Sequence, residues 1–315
     1  MSTMEPYRRL AARLNSLPNA YPPTDSGVEL KLLAKLFSPE QAELASHLRL
    51  PKETAIEIAR RLDREPGETR KMLKSMARAG LISAGRSEHG IGYSLMPFVV
   101  GIYEMQIEQI DQEMAELFET YYQEAFGSAL GYKPSFHRVV PIQQSVRFDN
   151  QIQPYEHVNS ILESAKSWGV MDCICRKQKA LVGDPCDHPV EVCMVLGSVP
   201  GAFDASGTIR SLTMDQARET LQMAAQAGLV HCVSNSQRGL HYICNCCTCS
   251  CGILRGIADL GVSNVVARSS YVNTIDLDLC IECELCLDEC PFEAISSATS
   301  IQIDPERCVG CGVCV

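Results

Sequence analysis

The chain has 315 residues, of which 46% are hydrophobic, 21% charged and 6% aromatic. This length allows two or three domains with cores of their own, and the composition excludes a disordered or collagen-like protein. Residues 1–100 carry 15 Lys and Arg against 11 Asp and Glu, whereas residues 101–315 carry 13 against 27. The acidic part therefore argues against a nucleic-acid interface there, and the mildly basic first part leaves one open.

All 17 cysteines lie between Cys173 and the C-terminus. A secreted disulfide scaffold is usually a short chain behind a signal peptide, and we find neither feature. Arg8 and Arg9 are not followed by the apolar region of an export signal, and the most apolar stretch, 95–102, is too short to span a bilayer. We therefore expect a cytoplasmic protein without membrane association, in which clustered thiols hold metal.

Residues 28–101 predict short helices followed by a hairpin, after a Pro-rich N-terminal extension, residues 1–27. Helices are predicted from Val28 to Phe37, from the capping box Ser38-Pro39-Glu40-Gln41 onward, and around Ala55 to Leu62. A further helix, 68–79, presents a basic arc of Arg70, Lys71, Lys74 and Arg78. Residues 81–96 predict two short strands around a Gly-rich tip, with Ile91, Tyr93 and Leu95 alternating.

This order of helix, turn, basic amphipathic helix and hairpin resembles a winged helix-turn-helix domain. The resemblance implies that Glu68–Ala79 is the recognition helix and that Arg86 is the cation at the wing tip. Such a domain binds DNA or docks a protein partner, and the sequence leaves both open.

Residues 102–135 predict a long acidic helix and a linker, since 102–126 contain seven Asp and Glu and no Lys or Arg. Apolar residues follow a 4-3-4-3-4 spacing, the seam of a short coiled coil. These residues are Tyr103, Ile107, Ile110, Met114, Leu117 and Tyr121. The seam either forms a homodimer through residues 103–121 or packs against the chain's own domains.

The C-terminal residues carry the most specific pattern, Cys280-x2-Cys283-x2-Cys286-x3-Cys290-Pro291. An offset of 28 residues repeats it, because Cys280, Cys283 and Cys286 align with Cys308, Cys311 and Cys314. Residues 273–315 therefore resemble a bacterial two-cluster [4Fe–4S] ferredoxin domain. Zinc is the alternative for clustered cysteines, but two aligned copies ending once in Cys-Pro favour iron–sulfur clusters.

The ferredoxin resemblance implies that the fourth thiolate of each cluster comes from the other repeat. Cys290 would then serve the cluster of Cys308, Cys311 and Cys314. The partner expected at position 318 is missing, because the sequence stops at Val315. We therefore expect a truncated domain.

Ten further cysteines lie upstream of the ferredoxin-like residues, in a module of residues 136–272 that we expect to be helical with cysteine-bearing loops. They are Cys173, Cys175, Cys186, Cys193, Cys232, Cys244, Cys246, Cys247, Cys249 and Cys251. They predict at least one further iron–sulfur cluster, with zinc and redox-active thiols as alternatives. In an extended segment Cys247 points away from Cys244 and Cys246, so one metal ion cannot easily take all of the last five.

Other residues near these cysteines carry weaker signals. Arg176, Lys177 and Lys179 either offset the negative charge of a thiolate-bound cluster or form a plain basic loop. His188 and His231 are expected to be ordinary polar residues. Residues from Tyr155 to Ala165 predict an amphipathic helix.

The sequence thus predicts an α+β protein with a winged-helix-like domain (28–101), a long acidic helix (102–135), a cysteine-rich helical and loop module (136–272) and a truncated dicluster domain (273–315). The leading hypothesis is an iron–sulfur electron-transfer protein or redox-enzyme subunit that docks a redox partner. The alternative is an iron–sulfur-dependent, DNA-binding transcription regulator. A catalytic oxidoreductase with its active site at Cys244–Cys251 is a third possibility, but we find no nucleotide-binding or hydrolase motif to support it.

Overall fold

The computed structural model describes residues 4–142, 158–236, 239–262, 265–297 and 300–315. It divides into two compact units, Met1–Ala129 and Leu130–Val315. Tyr155, assigned above to an amphipathic helix, lies outside the described residues. Within those ranges, no helix has the length and apolar character needed to cross a membrane.

The first unit combines helices with one small antiparallel sheet whose strand order is β1-β3-β2. Its helices are α1 (Glu5–Asn15), α2 (Val28–Leu36), α3 (Pro39–Ser46), α4 (Ala55–Arg61), α5 (Pro66–Arg78), α6 (Gln112–Tyr121) and α7 (Gly127–Ala129). Its strands are β1 (Glu53–Thr54), β2 (Ser83–Ser87) and β3 (Gly90–Ser94).

Helix α1 lies within the residues that the sequence indicated only as a Pro-rich extension. Its buried face, formed by Tyr7, Leu10 and Leu14, belongs to the core, and the helix packs against α3. The Tyr7 hydroxyl donates to the carbonyl of Phe37 at 3.0 Å. At the start of α3, Ser38 and Gln41 form the predicted capping box. The first unit thus includes a helix that precedes all those predicted.

Helix α5 and the β2–β3 hairpin follow the predicted pattern closely. Leu73 and Met76 are fully buried, while the basic arc of α5 is exposed. The predicted alternation in β3 is wrong at Ile91, which is 63% exposed. Ile91 pairs with Arg86 next to the hairpin turn, away from the core that covers Tyr93 and Leu95.

Residues 102–126 do not form the single long helix that was predicted. A 3-10 turn spans Glu104–Gln106, and α6 begins only at Gln112, because the Asp111 carboxylate accepts the Met114 N–H at 2.8 Å and caps a new helix.

The predicted seam lies inside the first unit. Tyr103, Ile107, Met114 and Tyr121 are buried there, and the Tyr103 ring stacks on Phe118 with centroids 4.0 Å apart. The seam therefore packs against its own unit. Dimerisation stays a prediction, which sedimentation of the purified chain tests.

The second unit is built on a six-stranded antiparallel sheet of order β4-β8-β9-β6-β5-β7. Its strands are β4 (His137–Val139), β5 (Ser167–Asp172), β6 (Glu191–Gly197), β7 (Arg210–Leu212), β8 (Val230–Ser234) and β9 (Tyr242–Cys246). Its helices are α8 (Val158–Ser164), α9 (Ile174–Leu181), α10 (Met214–Gln226), α11 (Arg255–Ala258) and α12 (Leu285–Asp288). A small two-stranded sheet pairs β10 (Ile295–Ser296) with β11 (Gln302–Ile303).

The large sheet has an apolar face and a thiol face. Met194 and Ile243 pair across β6 and β9 and belong to the core that includes α8 and α10. Because side chains alternate along a strand, their neighbours Cys193 and Cys244 point to the opposite face. The prediction of a helical and loop module for residues 136–272 is therefore wrong in part, because these residues form the six-stranded sheet and four of the ten upstream cysteines lie in its strands.

Candidate metal centres

The 17 cysteines are all free thiols, and the structure sorts them into three groups. We name these groups the buried thiol cluster, the surface site and the ferredoxin-like segment, and give their members in that order. The buried thiol cluster consists of Cys173, Cys175, Cys193, Cys232, Cys244, Cys246 and Cys251. The surface site consists of Cys186, His188, Cys247 and Cys249. The ferredoxin-like segment contains the other seven cysteines.

Six thiols of the buried thiol cluster form a closed ring of hydrogen-bonded neighbours. In ring order these are Cys173, Cys175, Cys251, Cys246, Cys244 and Cys193. Three different parts of the fold supply them: the start of α9, strands β6 and β9, and the segment before α11. The Cys251 sulfur also accepts the backbone N–H groups of Ile253 and Leu254 at 3.4 and 3.5 Å. These backbone contacts favour the ionised form, but the Cys246 thiol and burial outweigh them and raise the pKa of Cys251 well above its usual range.

The thiols of the ring compete for ionisation. The pKa of Cys173 lies well below its usual range, first because Cys175 and Cys193 donate hydrogen bonds to it, and also because the Arg176 guanidinium is close. The same hydrogen bonds raise the pKa of Cys175 and of Cys193. A cationic centre would let more of these thiols ionise together, because a coordinating thiol is deprotonated outright.

Arg176 provides a buried positive charge beside these sulfurs. It is only 3% exposed, and its Nη2 donates to the Asn245 carbonyl at 3.1 Å. Within the described residues, Nε and Nη1 have no hydrogen-bond partner. Burial opposes its charge, but the neighbouring thiols of Cys173, Cys247 and Cys246 raise the pKa of Arg176. A buried guanidinium is costly unless negative charge compensates it, so this position suits a site that carries excess negative charge.

The other two cations of the predicted basic loop have different partners. Lys177 pairs with Asp172 at 2.8 Å, and Lys179 pairs with Asp184. Among the three cations weighed from the sequence, only Arg176 lies against the thiols.

Cys232 joins the buried thiol cluster through Cys246 and adds a histidine that the sequence did not single out. His137, Cys232 and Cys246 are buried, and their ligand atoms lie within 4.8 Å of one another. Burial lowers the pKa of His137 to about 3, so its imidazole is neutral. A neutral imidazole is the form that binds metal. His137 comes from β4, which pairs with β8, and no local sequence signal connects it to Cys232.

The two histidines that the sequence did single out differ in their surroundings. His231 is an ordinary polar residue as predicted, since its Nδ1 lies 2.6 Å from Asn245 Oδ1. His188 lies beside a thiol, since its Nδ1 is 3.7 Å from Cys249 Sγ. Although burial opposes it, hydrogen bonds from Ser250 and from the His188 N–H lower the pKa of Cys186 to about 6.

The ferredoxin-like segment repeats its backbone geometry as well as its cysteines. Glu282 and Glu284 have φ angles of 53° and 61°, and the residues 28 positions later, Gly310 and Gly312, have 69° and 77°. Left-handed residues are rare outside glycine, so the same pair in both copies indicates that both cysteine loops take one conformation.

Cys290 lies close to the thiols of the second repeat. Burial, together with the smaller effects of Cys314, Cys290 and Cys308, raises the pKa of Cys311 to about 12. Cys290 also accepts the Ala294 N–H at 3.3 Å, and Cys314 accepts a hydrogen bond from Asn273 Nδ2 at 3.2 Å. Burial raises the pKa of Cys286, and Cys280 and Cys283 each raise it more than Cys290 does.

We expect Gly310→Ala to disrupt the second cysteine loop. A Cβ at this position would overlap the Tyr271 carbonyl oxygen and Ser269 Oγ, and the left-handed backbone adds strain, for a combined cost of about 3 kcal/mol. Bound iron and the thermal midpoint should both fall. Glu282→Gly, at the matching position of the first repeat, is the control and should leave both nearly unchanged. Equal behaviour of the two variants would contradict the expectation.

Comparison with known families agrees with this assignment of the C-terminal residues. The 4Fe-4S binding domain family (Fer4) matches residues 273–296. This match contains Cys280, Cys283, Cys286 and Cys290. No curated protein matches the chain. No solved structure matches it either. The chain therefore carries a segment similar to the 4Fe-4S binding domain, which supports iron–sulfur binding and, in general terms, a role in electron transfer.

Proposed function

We propose that this protein is a multi-cluster iron–sulfur electron carrier or redox-enzyme subunit. Cys290, Cys308, Cys311 and Cys314 would hold one [4Fe–4S] cluster, and Cys280, Cys283 and Cys286 would supply three ligands to a second. The buried thiol cluster would hold at least one further cluster. The observation that carries the proposal is the ring of six neighbouring thiols, three of them buried and three half-buried, in the same unit as the segment that matches the 4Fe-4S family.

The residues present fit such groups. Both sites offer soft sulfur donors, which select iron–sulfur clusters, zinc or copper(I) rather than hard cations. Buried Arg176, with two guanidinium nitrogens unpartnered in the described structure, suits a site of net negative charge. When bound, a [4Fe–4S] cluster accepts and releases one electron at a time.

The chain's own residues set the conditions for that chemistry. The sulfurs of Cys251, Cys290 and Cys314 accept hydrogen bonds, and such bonds are one determinant of cluster potential.

Backbone hydrogen bonds connect the ferredoxin-like segment to the large sheet. The Ile142 N–H donates to the Cys311 carbonyl at 2.9 Å, and the Ser269 N–H donates to Val309 at 3.1 Å. The Val139 N–H in turn donates to the Ala267 carbonyl. Val139 lies in the edge strand β4, which pairs with β8, the strand that contains Cys232. The ferredoxin-like segment is therefore attached to the sheet that carries thiols of the buried thiol cluster.

Iron and acid-labile sulfide analysis of the anaerobically purified chain tests the proposal. We expect about eight or more irons per chain with a comparable amount of sulfide, together with EPR signals from more than one cluster. A colourless protein that contains zinc alone would contradict it.

We further propose that the first unit contains a winged-helix-like domain that docks a protein partner. Three helices and a hairpin in the expected order support it. The basic arc of α5 (Arg70, Lys71, Lys74, Arg78) is exposed, and in the described part of the chain it makes no salt bridge. These cations suit an acidic partner surface.

DNA is the alternative ligand of that arc, and charge opposes it. The net charge of -14 on residues 101–315 repels DNA, so only specific contacts would overcome the field. We therefore expect genomic-fragment selection with the cluster-loaded protein to yield only unselective, salt-labile retention. Recovery of a discrete DNA site would establish DNA binding instead, if Arg70→Ala and Lys74→Ala weaken binding and Arg8→Ala does not. Each lost phosphate contact should reduce the slope of log affinity against log salt concentration by about 0.9.

A further inference from the structure

We propose that the surface site is a mononuclear zinc site, separate from the iron–sulfur centres. Cys186, His188, Cys247 and Cys249 would supply three thiolates and one imidazole to a single ion. Cys186, Cys247 and Cys249 would then bind zinc and not an iron–sulfur cluster, and His188 would be the fourth zinc ligand.

The spacing of the four ligand atoms suits one ion. All of them lie within 4.8 Å of one another. In a tetrahedral zinc site, bonds of about 2.3 Å to sulfur and about 2.0 Å to nitrogen place the ligand atoms about 3.5 to 3.8 Å apart. A cubane cluster needs wider spacing, because each of its thiolates binds a different iron. Small movements of the side chains would close the site around one ion.

Two ligand pairs come from opposite ends of neighbouring strands. Cys186 and His188 lie in the loop between α9 and β6, and Cys247 and Cys249 follow β9 directly. Strands β6 and β9 are antiparallel partners, with Met194 opposite Ile243. The beginning of β6 therefore lies beside the end of β9, which brings the Cys-x-His and Cys-x-Cys pairs together.

Strand alternation explains why this set is distinct from the buried thiol cluster. Cys244 and Cys246 share one face of β9 and belong to the ring of buried thiols. Cys247 follows at once and points the other way. It joins Cys249 and Cys186 instead. One strand end thus supplies two different sites.

Polar neighbours around the ligands support coordination. Ser250 Oγ donates to Cys186 Sγ at 3.2 Å and lies 3.9 Å from Cys249 Sγ. Three thiolates and a neutral imidazole on Zn²⁺ carry a net charge of -1, and the Arg176 guanidinium beside Cys247 offsets it. Supporting contacts of this kind orient ligands and tune a metal site.

The donor set favours zinc and a structural role. Thiolate and imidazole ligands exclude magnesium and calcium, and zinc is bound more tightly than iron(II) by the same N and S ligands. Four protein ligands fill a tetrahedral site and leave no position for substrate. The ion would fix the loop of residues 182–190, which has no regular secondary structure, to the end of β9.

Metal analysis of the whole anaerobically purified protein tests the proposal. We expect about one zinc per chain in addition to iron, with X-ray absorption at the zinc edge showing three sulfur ligands and one nitrogen ligand. His188→Ala and Cys249→Ser should lower zinc at least tenfold and retain iron and sulfide. Cys246→Ser, in the buried thiol cluster, is the matched control and should lose iron and retain zinc.

His188→Cys provides a positive test, because it should retain zinc with four sulfur ligands. If His188→Ala loses both metals, the His188→Cys variant decides the question. Zinc and iron bound to His188→Cys support the site, and their absence from it counts against the site. Absence of zinc from the purified protein, or zinc that survives in Cys249→Ser, would overturn the proposal.

Discussion

Replacing Arg176 with methionine should lower the reduction potential of the cluster in the buried thiol cluster by roughly 100 mV, on the iron–sulfur assignment proposed above. Methionine keeps much of the side-chain volume and removes the charge. With an effective dielectric constant of about 20, charges about 5 to 10 Å apart interact by roughly 2 to 3 kcal/mol, and for a one-electron couple this energy corresponds to roughly 100 mV. Reduction adds negative charge, so loss of the cation disfavours it.

EPR-monitored redox titration measures this shift, and the same helix supplies a matched control. Lys177→Met removes an equal charge from the next residue, but Lys177 is 35% exposed and paired with Asp172. Solvent screening should limit its effect to roughly 20 mV. Arg176→Lys retains the charge and should recover most of the wild-type potential. Equal shifts in Arg176→Met and Lys177→Met would show that Arg176 has no special electrostatic role.

Features that depend on neighbours in sequence were predictable. The Ser38–Gln41 capping box and the amphipathic basic helix α5 both formed as expected. The ferredoxin-like pattern is equally local, since three thiols spaced two residues apart lie on one tight loop. The different directions of Cys246 and Cys247 also followed from strand geometry alone.

Features that depend on pairing between distant strands were not predictable. His137 meets Cys232 only because β4 pairs with β8, and His188 meets Cys249 only because β6 pairs with β9. Neither histidine stands at a regular spacing from its cysteine partners. The burial of Arg176 was not predictable either, because it depends on contact with the distant strand β9 at Asn245. From the sequence alone, a basic residue after Cys175 fits an exposed loop equally well.

Cys290→Ala should remove the cluster of the second repeat and leave that of the first. Cys290 raises the pKa of Cys311 more than Cys308 does, whereas Cys280 and Cys283 each raise the pKa of Cys286 more than Cys290 does. The ferredoxin resemblance gives the same assignment from connectivity. Loss of one thiolate ligand should reduce bound iron by about one to four atoms per chain, since the cluster either loses one iron or is lost.

Comparison of three alanine variants makes this assignment decisive. If Cys290 serves the second repeat, the EPR signals lost in Cys290→Ala should match those lost in Cys311→Ala and complement those lost in Cys283→Ala. If the lost signals match those of Cys283→Ala instead, Cys290 is a ligand of the first repeat, together with the three cysteines that precede it in the sequence. Because Cys290 accepts the Ala294 N–H, alanine leaves that donor without its sulfur partner in every case. The structural cost of Cys290→Ala is therefore the same for both assignments, and only the identity of the lost EPR signal distinguishes between them.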